Sequence, residues 1–484
     1  RFRTSTGELT LTDFMPLSGD ESFSDCPHEI HRIVRCSGGT VTVICIFQPR
    51  MDYGRTETTL TAVNGSVKAR GGHQNLTLCS QVPLEIDGDE ASAEFTLHQG
   101  EEVAFVAAYG HGRPWRIETY RTAEKLQQTK VYWEVMASGL NYDGMWKEEV
   151  IRSFLVLHLM VYRPTGAVIA APTTSLPETI GGSRNWDYRF AWLRDSSFAM
   201  DILYRMGHME EADRYLRWLT YQCKVTNGKP KILYGISPAS SVKEVELDHL
   251  EGYEGSGPVR IGNGASRHFQ LDVFGGVIRG VDSLQKNGGV VTDEAWSLVE
   301  NFAEVVCNKW RLKDRGVWEV RGPQQHFVYS KLMSWVALDR AARIAEALGR
   351  NGAVDRWRQT AAAIKEEVIR CGWNDRKQAF VQHYATDSLD ASNLVLPLIG
   401  FLRPNDPRIL STIEAIRREL ADGPLVQRYI PDQTEDGLGG QNEGAFTILS
   451  FWLIGGLVRT GRVETATEYF EQMLSCSNHL GLFA

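Results

Sequence analysis

The sequence lacks any run of about 20 apolar residues of the length a bilayer-spanning helix requires. Its most apolar helical stretch, from Phe154 to Tyr162, is short and flanked by charge. It also lacks an excess of positive charge: 52 Lys and Arg stand against 60 Asp and Glu, a net charge of −8. Such a surface gives no electrostatic footprint for a phosphate backbone, so nucleic acid is not expected as a partner. Cysteine is sparse. The 8 cysteines in 484 residues form no Cys-x-x-Cys pair, and no His sits at zinc-ligand spacing. No disulfide scaffold and no metal are expected, and reduced thiols suit a cytoplasmic location. No repeat of 20–50 residues marks a solenoid. An Asp-rich D-D-x-x-D motif and a His cluster are missing too, which counts against a terpene cyclase or a lyase.

What is present is ordinary globular material, 43% hydrophobic and 23% charged, enough for one large domain and a smaller one. Residues 1–117 read as short β-branched strands broken by Gly and Asp, the spacing of an antiparallel sandwich. Residues 118–145 suit a helical linker. From 146 to 484 a 3.6-residue period dominates, with expected helices at 147–162, 192–206, 209–226, 269–286, 292–310, 327–348, 353–368, 390–400, 408–420, 443–459 and 463–475. Helices of similar length separated by Gly- and Trp-rich loops suggest helical hairpins in a ring, with function carried in the loops.

Four strings stand out in those loops. The first runs Gly181-Gly182-Ser183-Arg184-Asn185-Trp186-Asp187-Tyr188-Arg189-Phe190-Ala191-Trp192-Leu193-Arg194-Asp195-Ser196. The second covers 246–263 and includes His249, Glu251, Tyr253, Glu254 and Arg260. The third is Gly316-Val317-Trp318-Glu319-Val320-Arg321-Gly322-Pro323, and the fourth joins Leu425-Val426-Gln427-Arg428-Tyr429 to Asn442-Glu443-Gly444. Indoles beside fixed charges suit a sugar, whose ring face covers an aromatic and whose hydroxyls bond to carboxylate or guanidinium groups. A Ser-His reading of His326 and Ser330 has no nucleophile elbow behind it.

These strings resemble glycoside hydrolase family fifteen, the bacterial glucoamylase and trehalase-like group, over essentially the whole chain from Thr10 onward. The resemblance implies a β-supersandwich, a helical linker and an (α/α)6 barrel. It also implies inverting, exo-acting hydrolysis of α-glucosidic bonds that releases β-glucose and requires no organic cofactor. A glucoamylase-like action on α-gluco-oligosaccharides is the main expectation, with α,α-trehalase or a sugar-binding homologue without a base as alternatives. By motif, Glu319 matches the general acid. Arg194 and Asp195 match the pair that grips the non-reducing glucose, and Arg428 matches a further subsite arginine. Trp192, Trp318 and Tyr253 are candidate ring platforms, and His249 and Glu251 are candidates on the leaving-group side. The family's general base is expected directly after Ala484, which makes the sequence look cut at both ends. Gly276 stands where a charged residue is expected.

Overall fold

The protein is described by a computed structural model covering residues 1–17, 27–110, 116–226, 230–237, 241–350, 352–438 and 443–483, so Cys26 and Asn442 lie outside the described residues. It divides into two compact units, Arg1–Gly139 and Leu140–Ala484.

The first unit is antiparallel β-structure: β1 (Phe2–Arg3), β2 (Gly7–Phe14), β3 (Glu29–Phe47), β4 (Thr59–Val63), β5 (Ser66–Gly71), β6 (Gln74–Ser80), β7 (Glu85–Asp87), β8 (Glu90–His98) and β9 (Glu102–Tyr109). The main path runs β1-β2-β3-β9-β6-β5-β4. Strand β3 serves two sheets. Residues 29–35 pair with β9 and residues 40–47 pair with β8, which carries β7 on its other side. Leu9, Val34, Cys36, Val41, Leu97 and Phe105 fill the core between these layers. The transfer happens at Ser37-Gly38-Gly39. Gly39 has φ +68°, and a Cβ there would lie 2.2 Å from the Thr6 carbonyl oxygen, so only glycine fits. Helix α1 (Thr122–Ser138), read from the sequence as a linker, is grouped with this unit. Its Lys125 Nζ lies 2.6 Å from Glu29, and its Thr122 hydroxyl lies 2.9 Å from the buried His31 ring.

The second unit is an α/α barrel. Its helices are α2 (Lys147–Leu159), α3 (Leu193–Arg205), α4 (Met209–Val225), α5 (Asp272–Lys286), α6 (Asp293–Lys309), α7 (Val328–Ala347), α8 (Val354–Cys371), α9 (Leu396–Ile399), α10 (Pro407–Leu420), α11 (Thr447–Arg459) and α12 (Val463–Ser475). The inner members pack side by side, α3 on α5 and α5 on α7, while α8 and α12 cover α7 and α11. Helix α7 is buried over most of its surface, and its exposed charged positions Arg343 and Glu346 lie on one narrow stripe near its end. Gly275 lets α5 approach it: a Cβ there would lie 2.2 Å from the Met333 carbonyl oxygen. Its neighbour Gly276, where a charge was expected, is buried against Ser197 and Arg194 of α3.

Two expected helices differ. Residues 390–400 form a 3-10 turn, Ala391–Val395, followed by the single turn α9. The Asp390 side chain accepts from the Ser392 amide and starts the turn, and Pro397 supplies no N–H to continue an α ladder. The helix expected from 443 begins at Thr447, because Glu443 is drawn into the ion pairs described below.

Replacing Gly39 with Ala forces a Cβ into the Thr6 carbonyl and a left-handed backbone onto an L side chain. A loss of about 2 kcal/mol or more is expected in the urea unfolding of the first unit. A midpoint unchanged from the parent would show that β3 crosses between its sheets without need of that glycine.

Candidate active site

The loop that carries Glu319 is fastened before it carries anything. The Glu319 amide donates to the Gly316 carbonyl at 3.2 Å, the Val320 amide donates to the Arg315 carbonyl at 3.2 Å, and the Arg315 guanidinium reaches back to the Gly322 carbonyl. The Arg321 and Gly322 amides both donate to the Asp436 carbonyl, at 2.7 and 2.8 Å. Within this frame Glu319 has φ +58°, a left-handed conformation that a glutamate adopts only under constraint. The side chain is thereby set on the wall of a cavity of about 160 Å³. Trp192 Nε1 donates to Glu319 Oε1 at 2.8 Å, and Arg194 lies 3.4 Å from the same oxygen. Among the described residues Oε2 accepts no hydrogen bond.

Arg194 is the centre of this wall. Its guanidinium reaches Asp195 at 3.4 Å, Glu319 at 3.4 Å and Asp272 at 3.5 Å, with Gln270 Oε1 also at 3.4 Å. Burial alone would loosen its proton, but the three carboxyls outweigh burial and hold the proton on. The carboxyls respond in turn. Burial pushes Asp195 up, Arg194 offsets part of that, and Glu319 adds to it. Asp272, fully buried at the first position of α5, is raised for the same reasons. Asp195 lines the cavity while its Oδ2 is buried without a hydrogen-bond partner, as is Asp272 Oδ1. Below them Asp314 accepts from the Leu271 amide at 2.9 Å and so fixes the entry to α5.

A second ionic cluster borders the same cavity. Arg428 pairs with Glu443 and, at 3.2 Å, with Glu178. Arg184 bonds Asp436 at 2.7 Å and Glu443 at 3.1 Å. The Tyr429 hydroxyl donates to Asp436 at 3.0 Å, and Tyr188 reaches Glu178 at 3.4 Å. The Arg428 guanidinium also lies 4.6 Å from the Phe446 ring centre and 5.4 Å from that of Trp318. Trp318 Nε1 is held by both Asp390 oxygens at 3.0 Å. His268 completes the rim. Burial, with Arg315 and Arg321 nearby, pushes its imidazole down to about 4, so it lines the cavity as a neutral ring.

Trp192, Arg194, Asp195, Trp318, Glu319 and Arg428 thus meet at one cavity. His249, Glu251 and Tyr253 do not line it. They occupy the exposed end of the hairpin whose short ladder pairs Val245 with Ile261, and Tyr253 is 54% exposed. Gly252, with φ +80°, turns the chain there toward solvent. Only the base of that hairpin, Arg260 and Asn263, reaches the site region. Sequence reading quoted Arg184 and Arg321 within the first and third strings but assigned them no role, and it did not single out Asp272 or Trp452. Trp452 follows the cavity residue Ile448 by four positions on α11, a helical spacing that was the available signal.

Comparison with known proteins follows the same outline. The family model described as glycosyl hydrolases family 15 matches residues 144–479. A protein named trehalase from Mycolicibacterium smegmatis is 39% identical over 472 residues, covering 95% of this chain and 70% of its own length. A trehalase from Thermoplasma volcanium is 36% identical over 479 residues, covering 98% of this chain and 75% of its own. Among solved structures, a bacterial glucoamylase complexed with acarbose matches with a TM-score of 0.72 at 14% identity. The match covers 99% of this chain and 81% of that one, a likeness of fold.

The buried Asp314 carboxyl gives the site a pH signature. Burial, and next the Leu271 amide acting against it, leave the carboxyl pushed up to about 7. The folded state therefore holds a proton that the unfolded chain releases near pH 4. Stability falls on this account as pH rises from about 4 to about 7. Asp314→Asn is expected to remove that slope in denaturant titrations across this range. An unchanged slope would mean that Asp314 ionises normally.

Proposed function

The chain belongs to glycosyl hydrolases family 15 and is a glycoside hydrolase, and we propose that it hydrolyses α,α-trehalose with inversion, using Glu319 as the general acid. Trehalose takes the place of the α-gluco-oligosaccharides first expected from the sequence because the relatives at 39% and 36% identity are named trehalases. The observation that carries the mechanism is Glu319 itself: a left-handed glutamate on the cavity wall, with one oxygen engaged by Trp192 and Arg194 and the other open.

One glucose of the disaccharide enters the deep end, where Arg194 and Asp195 take its hydroxyls in charge-assisted hydrogen bonds and hold the ring in register. Glu319 Oε2 then hands a proton to the glycosidic oxygen as the bond to the anomeric carbon breaks. Water attacks the opposite face and gives up its proton to a general base, the second carboxyl that an inverting hydrolysis requires. Inverting enzymes space the two carboxyls about 6.5–9.5 Å apart to admit that water. The attacked glucose leaves as the β anomer. The departing glucose keeps its own C1–O bond and leaves as the α anomer.

Proton NMR of the parent enzyme acting on trehalose is expected to record α- and β-glucose in equal amounts before mutarotation. Two α anomers would mean retention, and no release from trehalose would remove the substrate assignment. Glu319→Gln keeps the shape and deletes the proton. It should lower kcat by about 100- to 10,000-fold with KM little changed. A loss under tenfold would take the acid role from Glu319. Asp195→Ala should instead raise KM as well as lower kcat, and an unaltered KM would count against its grip on the sugar.

A further inference from the structure

The deep end of the cavity is where Trp192 is 3% exposed and the Arg194 side chain 13%. Along the loop that carries the acid, exposure rises from 18% at the Glu319 side chain to 35% at that of Arg321. Glu319 and Arg321 both line the cavity, while Val320 between them is buried in the core. A proton delivered from Glu319 goes to the oxygen shared by the two sugars, so the departing sugar occupies the space outward of the acid. The next cavity-lining side chain of that loop is Arg321.

Its guanidinium is fixed from several directions. Nη2 alone makes the ion pair with Glu244, at 2.9 Å to Oε1 and 2.7 Å to Oε2, and Cζ lies 4.5 Å from the Trp186 ring centre. The Glu244 carboxylate is itself anchored by the Gly264 amide at 2.8 Å. Trp186 is stacked in addition against Arg260, 4.7 Å from the ring centre, and Arg260 bonds Glu246 and, at 2.8 Å, the Ser183 carbonyl. The Arg321 backbone is tied to Asp436. Among the described residues Nε and Nη1 have no partner. A solvated surface ion pair would need none of this support. A guanidinium immobilised at a cavity wall with donors unused gives up little conformational freedom when it binds, which is the condition for a hydroxyl-reading group.

We infer that Arg321 is the substrate-contacting residue that holds the departing glucose, donating from Nε and Nη1 to its hydroxyls, with Glu244 and Trp186 as positioning residues. Its place follows from Glu319 being the acid, so the inference rests on that part of the proposed function. The leaving group is then selected by hydrogen bonding, and a leaving group without hydroxyls gains nothing from Arg321.

The test compares two substrates of the parent enzyme: trehalose, and α-glucosyl fluoride, whose hydrolysis yields glucose, fluoride and a proton with no leaving sugar. Arg321→Ala should lower kcat/KM about 10- to 100-fold for trehalose and leave α-glucosyl fluoride within about threefold. Arg321→Lys, which keeps the charge and the fold but loses the fork, should give the same split in smaller degree. Glu244→Gln, which loosens the guanidinium while leaving it in place, should do likewise. Equal losses on both substrates would assign Arg321 to the deep site or to structure, and no loss on either would remove it from binding; each overturns the inference. If the parent cleaves maltose and not trehalose, the trehalose assignment fails while the same comparison, run with maltose, still judges Arg321. Cleavage of α-glucosyl fluoride alone would overturn both.

Discussion

The site depends on one cation. Arg194 brings Asp195, Asp272 and Glu319 to within 3.5 Å of a single guanidinium, in a wall largely closed to water. Two unit charges about 4 Å apart interact by about 4 kcal/mol at an effective dielectric near 20. With the guanidinium in place, each carboxyl has an attraction of that order to set against repulsion from the other two. Without it, three carboxyls crowd one surface with nothing to offset them. The direction of every shift reflects this: Arg194 keeps its proton against burial, while Asp195 and Asp272 are raised in spite of Arg194. A cation shared three ways cannot fully satisfy any one partner: Asp195 Oδ2 has the ion pair with Arg194 but no hydrogen bond, and Asp272 Oδ1 has no hydrogen bond either.

The barrel supplies the rest of the compensation through its geometry. Arg194 and Asp195 lie in the first turn of α3, and Asp272 begins α5. Tyr329 stands near the start of α7 and Ile448 near that of α11. The inner helices thus turn their N-termini, with unsatisfied amides and a partial positive charge, toward the acidic site. Charge that would be costly on a sheet face is favourable at such helix ends. The loops between helices can then be long and irregular. Their ends are fixed by rigid elements, and their interiors are fixed by side chains such as Asp436, which receives Arg184 through its carboxylate and the acid loop through its carbonyl.

What the sequence made legible was local. Trp192, Arg194 and Asp195 sit within four residues of one another, and Trp318 and Glu319 are adjacent, so their chemistry can be recognised without knowing the fold. Arg184 could not be read in the same way. Its partners Asp436 and Glu443 are some 250 residues distant, and its meaning appears only when the two loops meet. Asp272 reads as an ordinary first-turn aspartate of the helix expected at 269–286 until α3 brings Arg194 against it. The reverse case, residues that sequence reading singled out and that do not line the cavity, has the same origin. His249, Glu251 and Tyr253 have the composition of a sugar loop, but the hairpin that carries them turns them to solvent, and composition does not encode direction. The 3-10 turn after Asp390 was hidden because its apolar spacing fits a helix. The aspartate cap and Pro397 decided otherwise.

The deep end and the mouth of the cavity answer different questions. Under the proposed function, a terminal α-linked glucose presents the same ring to Arg194, Asp195 and Trp192 whether the sugar beyond it is joined through its own anomeric carbon or through another hydroxyl. Nothing at the deep end can therefore separate trehalose from maltose. Under the same proposal the distinction arises where the second ring lies, among Trp186, Arg321, Arg428 and Trp318 of the cavity lining. Those residues belong to the loops 178–188, 316–322 and 425–438, which are cross-linked by Arg184 and Asp436, with Glu443 pairing both Arg184 and Arg428. A change of substrate in this architecture requires no alteration of the acid or of the carboxyl cluster. It requires that one rim loop move its donors relative to the oxygen that Glu319 protonates, and the ion pairs among those loops oppose that movement.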